Sequence, residues 1–79
     1  MSPTVFVVQA YRFFFFSREE TRIHVHVQAP NGEAKFWIDP IVSLAEVHGL
    51  NLKQLRQLQR IVEERRDEIK KAWKTHFGA

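Results

Sequence analysis

Arg22-Ile23-His24-Val25-His26-Val27-Gln28 alternates apolar and polar residues without a break. In an extended strand successive side chains point to opposite faces. Ile23, Val25 and Val27 therefore share one face, and Arg22, His24, His26 and Gln28 share the other. The polar face holds two imidazoles about 7 Å apart at the usual strand rise. A guanidinium and an amide flank them. The rest of the chain reads as walls that hold this strand and cover its apolar side.

Upstream, residues 4–8 are β-branched and apolar, which predicts a first strand. Gln9-Ala10 is a two-residue connection, although neither residue favours the positive φ of a tight hairpin. Residues 11–16 form a second strand, with Phe13 and Phe15 on one face and Phe14 and Phe16 on the other. A strand apolar on both faces needs two covers. The second cover is either another chain or a bend or bulge that turns both pairs of rings into one core. Residues 17–20 form a charged loop. Downstream, Pro30-Asn31-Gly32 is a turn signal, because Pro pre-sets φ while Asn and Gly tolerate positive values. Residues 34–38 then return antiparallel, with Lys35 and Trp37 alternating with Ala34, Phe36 and Ile38. Asp39-Pro40 ends that strand, since Pro cannot donate to a ladder. Residues 41–47 read as a short strand, with a helical turn as the alternative.

Asn51 is a good N-cap, and from Leu52 the spacing becomes helical. Leu52, Leu55, Leu58, Ile61/Val62, Ile69, Ala72/Trp73 and Phe77 make one stripe. Lys53, Arg56, Arg60, Asp67, Lys71 and Lys74 fall opposite. Arg65 and His76 project onto the apolar side. The favoured reading keeps one helix, with Arg65 snorkelling from the stripe edge and His76 capping the end. The alternative breaks the helix near residues 65–67, since an unbroken one would be roughly 39 Å long at about 1.5 Å per residue. Gly78 provides the stop. The pattern is α+β: a small antiparallel sheet of four to five strands with a long C-terminal helix on one face. Residues 1–79 make a single domain, strand-rich over 4–47 and helical over 51–77. The helix leaves the face of His24 and His26 uncovered.

A chain of 79 residues buries only about 60% of its unfolded surface, so an oligomer or a partner chain would ease the shortage of core. There is no cysteine, which excludes disulfides and thiolate metal sites. The longest apolar runs, such as residues 13–16, are four residues, far below the roughly 20 that span a bilayer. No membrane role is expected, and the cytoplasm is the expected location. The net charge of +3 is uneven, because residues 51–79 carry eight Lys and Arg against four Asp and Glu. That excess favours an acidic partner, nucleic acid or protein.

With residues 13–16, His24-Val25-His26, Ala34-Lys35-Phe36-Trp37-Ile38-Asp39-Pro40 and the ending Val62-Glu63-Glu64 through Ala72-Trp73 in view, the chain resembles a family of small bacterial proteins. These are catalogued as domain of unknown function 4160, and the likeness runs from Pro3 through Phe77. Many members carry prolines just before the His-x-His pair, where this chain has Thr21-Arg22-Ile23. The resemblance implies a gene beside a second small gene, an arrangement like that of toxin–antitoxin pairs. It thereby implies a cognate small protein as partner.

Three chemistries suit the His-x-His strand. The first is toxin-side RNA cleavage or RNA binding, as a metal-independent endoribonuclease in the catalytic case. Histidine's pKa near 6.5 suits both proton roles, so His24 and His26 are the acid and base candidates. Arg22, Lys35 and Arg12 are the cations for phosphate, joined by Lys53, Arg56 and Arg60 on the helix. The second is a metal site, which needs a third ligand from Glu33, Glu46, His48 or Asp39. The favoured reading needs no cofactor. The third is a non-catalytic antitoxin or regulator that binds protein or nucleic acid, RNA or DNA, with Phe14, Phe16 and Trp37 at the partner interface. The plain structural alternative stacks the imidazoles on Trp37 or Tyr11.

Overall fold

The computed structural model describes residues 3–16 and 21–78; the charged loop at 17–20 lies outside the described residues. Five strands form one antiparallel sheet: β1 (Thr4–Val8), β2 (Tyr11–Phe14), β3 (His24–Ala29), β4 (Gly32–Trp37) and β5 (Ser43–His48). Their spatial order is their sequence order. Two helices, α1 (Leu52–Glu64) and α2 (Arg66–Phe77), close one face. The fold is the α+β arrangement that the pattern predicts, and the ambiguous segment before the helices is a strand. β3 starts two residues later than its alternation, so Arg22 precedes the ladder.

Register explains the core. Phe6, Phe13, Val27, Ala34 and Val47 lie opposite one another across all five strands. They form an inward row, beside a second pair, Val25 and Phe36. Leu58, Val62, Ile69 and Trp73 meet these rows from the helices. The four-phenylalanine run keeps its alternation. Phe13 and Phe15 enter the core cluster, and Phe14 does not. No bend merges the two sets of rings.

Three local features differ from expectation or sharpen it. Gln9 adopts φ +56° in the β1–β2 turn, a left-handed conformation uncommon for its residue type. Leu52 does not join the apolar stripe; it is 61% exposed, and the stripe begins at Leu55. Asn51 caps α1 as predicted, with reciprocal bonds to Gln54. Gln54 also exchanges amide bonds of 3.0 and 2.9 Å with Asn31. The β3–β4 turn is thereby tied to the start of α1.

The helix is broken, against the favoured single-helix reading. Arg65 ends α1 and precedes α2 with φ −107° and ψ 20°. Consecutive arginines are held by different parts of the sheet. The Arg65 guanidinium lies 4.4 Å over the Phe6 ring of β1. Arg66 bonds the Ile38 carbonyl at 3.2 Å and the Asp39 carboxylate at 2.6 Å, beyond the end of β4. Lys70 adds a second contact to Asp39 at 3.3 Å. The backbone turns between these anchors, and α2 runs over the end of the sheet. There Trp73 meets Phe15, and Phe15 in turn meets His76 and Phe77. His76 thus packs on rings, while Gly78 in the left-handed region ends the helix.

Two substitutions test this frame. A Cβ on Gly32 would fall on the His48 carbonyl oxygen and lie 3.0 Å from the Gly49 Cα. Gly32→Ala should therefore cost about 1–3 kcal/mol, as overpacking does. Asp39→Ala removes a partly exposed carboxylate shared by two cations and should cost about 1 kcal/mol. Urea midpoints at unchanged slope measure both.

Candidate nucleic-acid interface

The face that the helices leave open is built from two complete cross-strand rows. Thr4, Phe14, His26, Lys35 and Glu46 form one, and Val7, Arg12, Gln28, Glu33 and His48 form the other. A third, shorter row places His24 beside Trp37 and Ser43. Residues scattered from 4 to 48 thus become neighbours because the strands pair in sequence order.

Among the described residues, each Arg and Lys of this face rests on a ring. The Arg12 guanidinium lies 4.5 Å from the Phe14 centroid. Arg22 and Lys35 lie 4.3 and 4.4 Å from that of Trp37. Such pairs gain from the ring quadrupole and fix the cation's position. Backbone and side-chain oxygens hold the arginines further. Arg12 Nε donates to Thr4 Oγ1 at 2.8 Å, and Arg22 Nε donates to the Asp39 carbonyl at 3.1 Å. Lys35 is 8% exposed. A buried ammonium needs a counter-charge, and Glu46 lies 3.7 Å away.

The two histidines have different surroundings. His24 has no exposed surface. Its Nδ1 donates to the Arg22 carbonyl at 2.7 Å, and its ring touches Trp37, Trp73 and His26. The strand pattern places His24 on the face away from the helix; instead Trp73 of α2 reaches it, because the break at Arg65 carries α2 over the sheet end. His24 meets Trp37 edge-on, 5.5 Å between centroids, and is not stacked on it, while Tyr11 sits in the core and bonds Gln57. His26 is half-buried and is stacked on Phe14, with Phe16 edge-on at 4.4 Å. The imidazole centroids are 5.1 Å apart.

Of the residues expected to meet a partner, Phe14 is covered by its own chain through Arg12 and His26. Trp37 is half-buried under two cations. Phe16 is 48% exposed. Lys53, Arg56 and Arg60 lie on the exposed side of α1, in the layer behind the sheet, and do not join this face. Among the described residues no group of three His, Cys, Asp or Glu is placed to hold a metal. Glu33, Glu46 and His48 do share a pocket with His26 and Lys35. Alternation marked His26 as outward-facing and Glu33, Glu46 and His48 stood as third-ligand candidates, but the register of four strands is what shows that they converge.

An antiparallel meander with a helical cover on one face and a cation-and-aromatic surface on the other defines a small α+β platform protein. The chain belongs to the family described as a domain of unknown function, DUF4160, whose model matches residues 10–74. No protein of curated function and no solved structure matches the chain.

Burial separates the two histidines experimentally. His24→Ala should cost about 2–4 kcal/mol, the range of large-to-small core changes, while His26→Ala should cost about 1 kcal/mol. Chemical denaturation followed by tryptophan fluorescence reads both, and equal losses would contradict the unequal burial.

Proposed function

We propose that this protein is the RNA-binding component of a bacterial toxin–antitoxin-like two-gene module, and that it holds single-stranded RNA on the open face of its sheet. The observation that carries the reading is the seating of Arg12, Arg22 and Lys35 on aromatic rings along the sheet face opposite the helices. Single strands are bound where cations track the backbone and where rings or guanidinium planes stack on bases. Positioned guanidinium groups meet phosphates with less ordering on binding. Phe16 supplies an exposed ring beside them.

The geometry favours binding over cleavage. Acid–base cleavage asks two groups to reach one phosphate from opposite sides. His24 is enclosed by Trp37 and Trp73, which leaves His26 as the one imidazole of the His-x-His pair that can meet a substrate. The partner expected from the adjacent gene would act on the same face, in the cytoplasm, by covering Phe16 and the arginines.

Fluorescence anisotropy with a labelled single-stranded RNA tests the proposal. Affinity should fall steeply with salt. The double variant Arg12→Ala/Arg22→Ala should weaken binding at least tenfold and flatten the salt slope by about 1.4, at roughly 0.7 per phosphate contact. The RNA should stay intact on a denaturing gel. A wild-type protein without salt-sensitive RNA affinity, but with affinity for the neighbouring gene's product, would move the reading to a protein-binding partner.

A further inference from the structure

The open face is not flat. A pocket of about 170 Å³ lies across β2 to β5, lined by Phe16, His26, Lys35, Glu46, His48 and Glu33. At about 30 Å³ per water, that is the room of a few waters and of one planar heterocycle, not of a length of strand. Its walls differ chemically. Phe16 and His26 present rings at one side, 4.4 Å apart and edge-on. At the other, the Lys35 ammonium lies 3.7 Å from the Glu46 carboxylate. The ammonium is nearly buried, while the Glu46 side chain is 61% exposed. A nearly buried donor at the pocket wall, held over Trp37, thus stands beside an acceptor exposed enough to turn toward an incoming group.

We infer that this pocket seats one base of the bound strand and selects guanine. The inference rests on the RNA-binding reading and deepens it. An ammonium beside a carboxylate complements a base edge on which a carbonyl adjoins N–H donors. Guanine offers O6 to Lys35, and N1–H with the N2 amino group to both oxygens of Glu46. Uracil offers a carbonyl and a single N–H, one bond fewer. Adenine and cytosine offer a ring nitrogen to the ammonium and one amino N–H to the carboxylate, again one bond fewer than guanine. A site built to pair such groups discriminates strongly, because the wrong partner leaves desolvated polar groups unpaired. Stacking on Phe16 is indifferent to base identity, since every base has a π-face. Selection therefore falls to Lys35 and Glu46, and general affinity to Phe16 and the arginines.

The test uses the full chain and four nine-nucleotide RNAs, each of adenosines with G, U, A or C at the centre, read by anisotropy competition. The expected order is G first, then U, A and C together, with G at least tenfold tighter than A. Glu46→Gln should reduce the G preference to threefold or less. Glu46 is an exposed residue of an edge strand, and circular dichroism of the variant checks its fold. Phe16→Ala should weaken all four strands alike. Equal binding of the four RNAs, or a G preference that survives Glu46→Gln, overturns the guanine assignment and leaves RNA binding standing. Absence of binding to all four overturns both.

Discussion

Val25 and Val27, neither with exposed surface, are the constraint on which the rest depends. Strand side chains alternate with a period of two, so a slip of one residue would move every side chain to the other face. Such a slip in β3 would take both valines out of the core rows and put polar side chains in their place. The hydrophobic cost of that exchange sets the register of the central strand. The partners follow from it: Phe13 opposite Val27, Phe36 opposite Val25. The open face inherits its order from this choice. His26 stands beside Phe14 and Lys35 because Val27 stands beside Phe13 and Ala34.

The helical layer adds a second constraint, centred on Asp39. Its carboxylate accepts from Arg66 and Lys70, while its backbone carbonyl accepts from Arg22. One residue thus links the end of the sheet, the start of α2 and the segment before β3. By fixing α2 there, it brings Trp73 against His24. The unlike environments of the two histidines come from this arrangement and not from the His-x-His spacing, which treats them as equivalent.

Much of this was legible in the sequence, for identifiable reasons. Strict alternation in residues 22–28 gave the faces of β3, Pro30-Asn31-Gly32 marked a turn, and Asn51 followed by helical spacing gave the cap and the stripe. The residues that fell short depend on tertiary partners. The helix break needs Phe6 and Asp39 to hold Arg65 and Arg66, and neither contact leaves a local signal. Leu52 fits the helical period but lies beyond the edge of what the sheet covers. The burial of His24 requires knowing where Trp73 arrives. At the candidate site, Arg12, Arg22, Lys35 and His26 were recognisable as outward residues of strands. The convergence of Glu46 and His48 with them depends on which strand lies beside which.

The sheet has two border strands, β1 and β5, and both are irregular. Pairing shifts by one residue at Val5 in β1 and at Ala45 in β5. A bulge bends its strand and interrupts the even ladder of outward N–H and C=O groups. A neighbouring copy approaching either border finds no straight template to extend. Five-stranded meanders with bare borders are natural seeds for ribbon-like assembly, and these two irregularities guard against it. Deleting Val5 or Ala45 would restore an even row of outward N–H and C=O groups, the template that a second copy needs to extend a sheet.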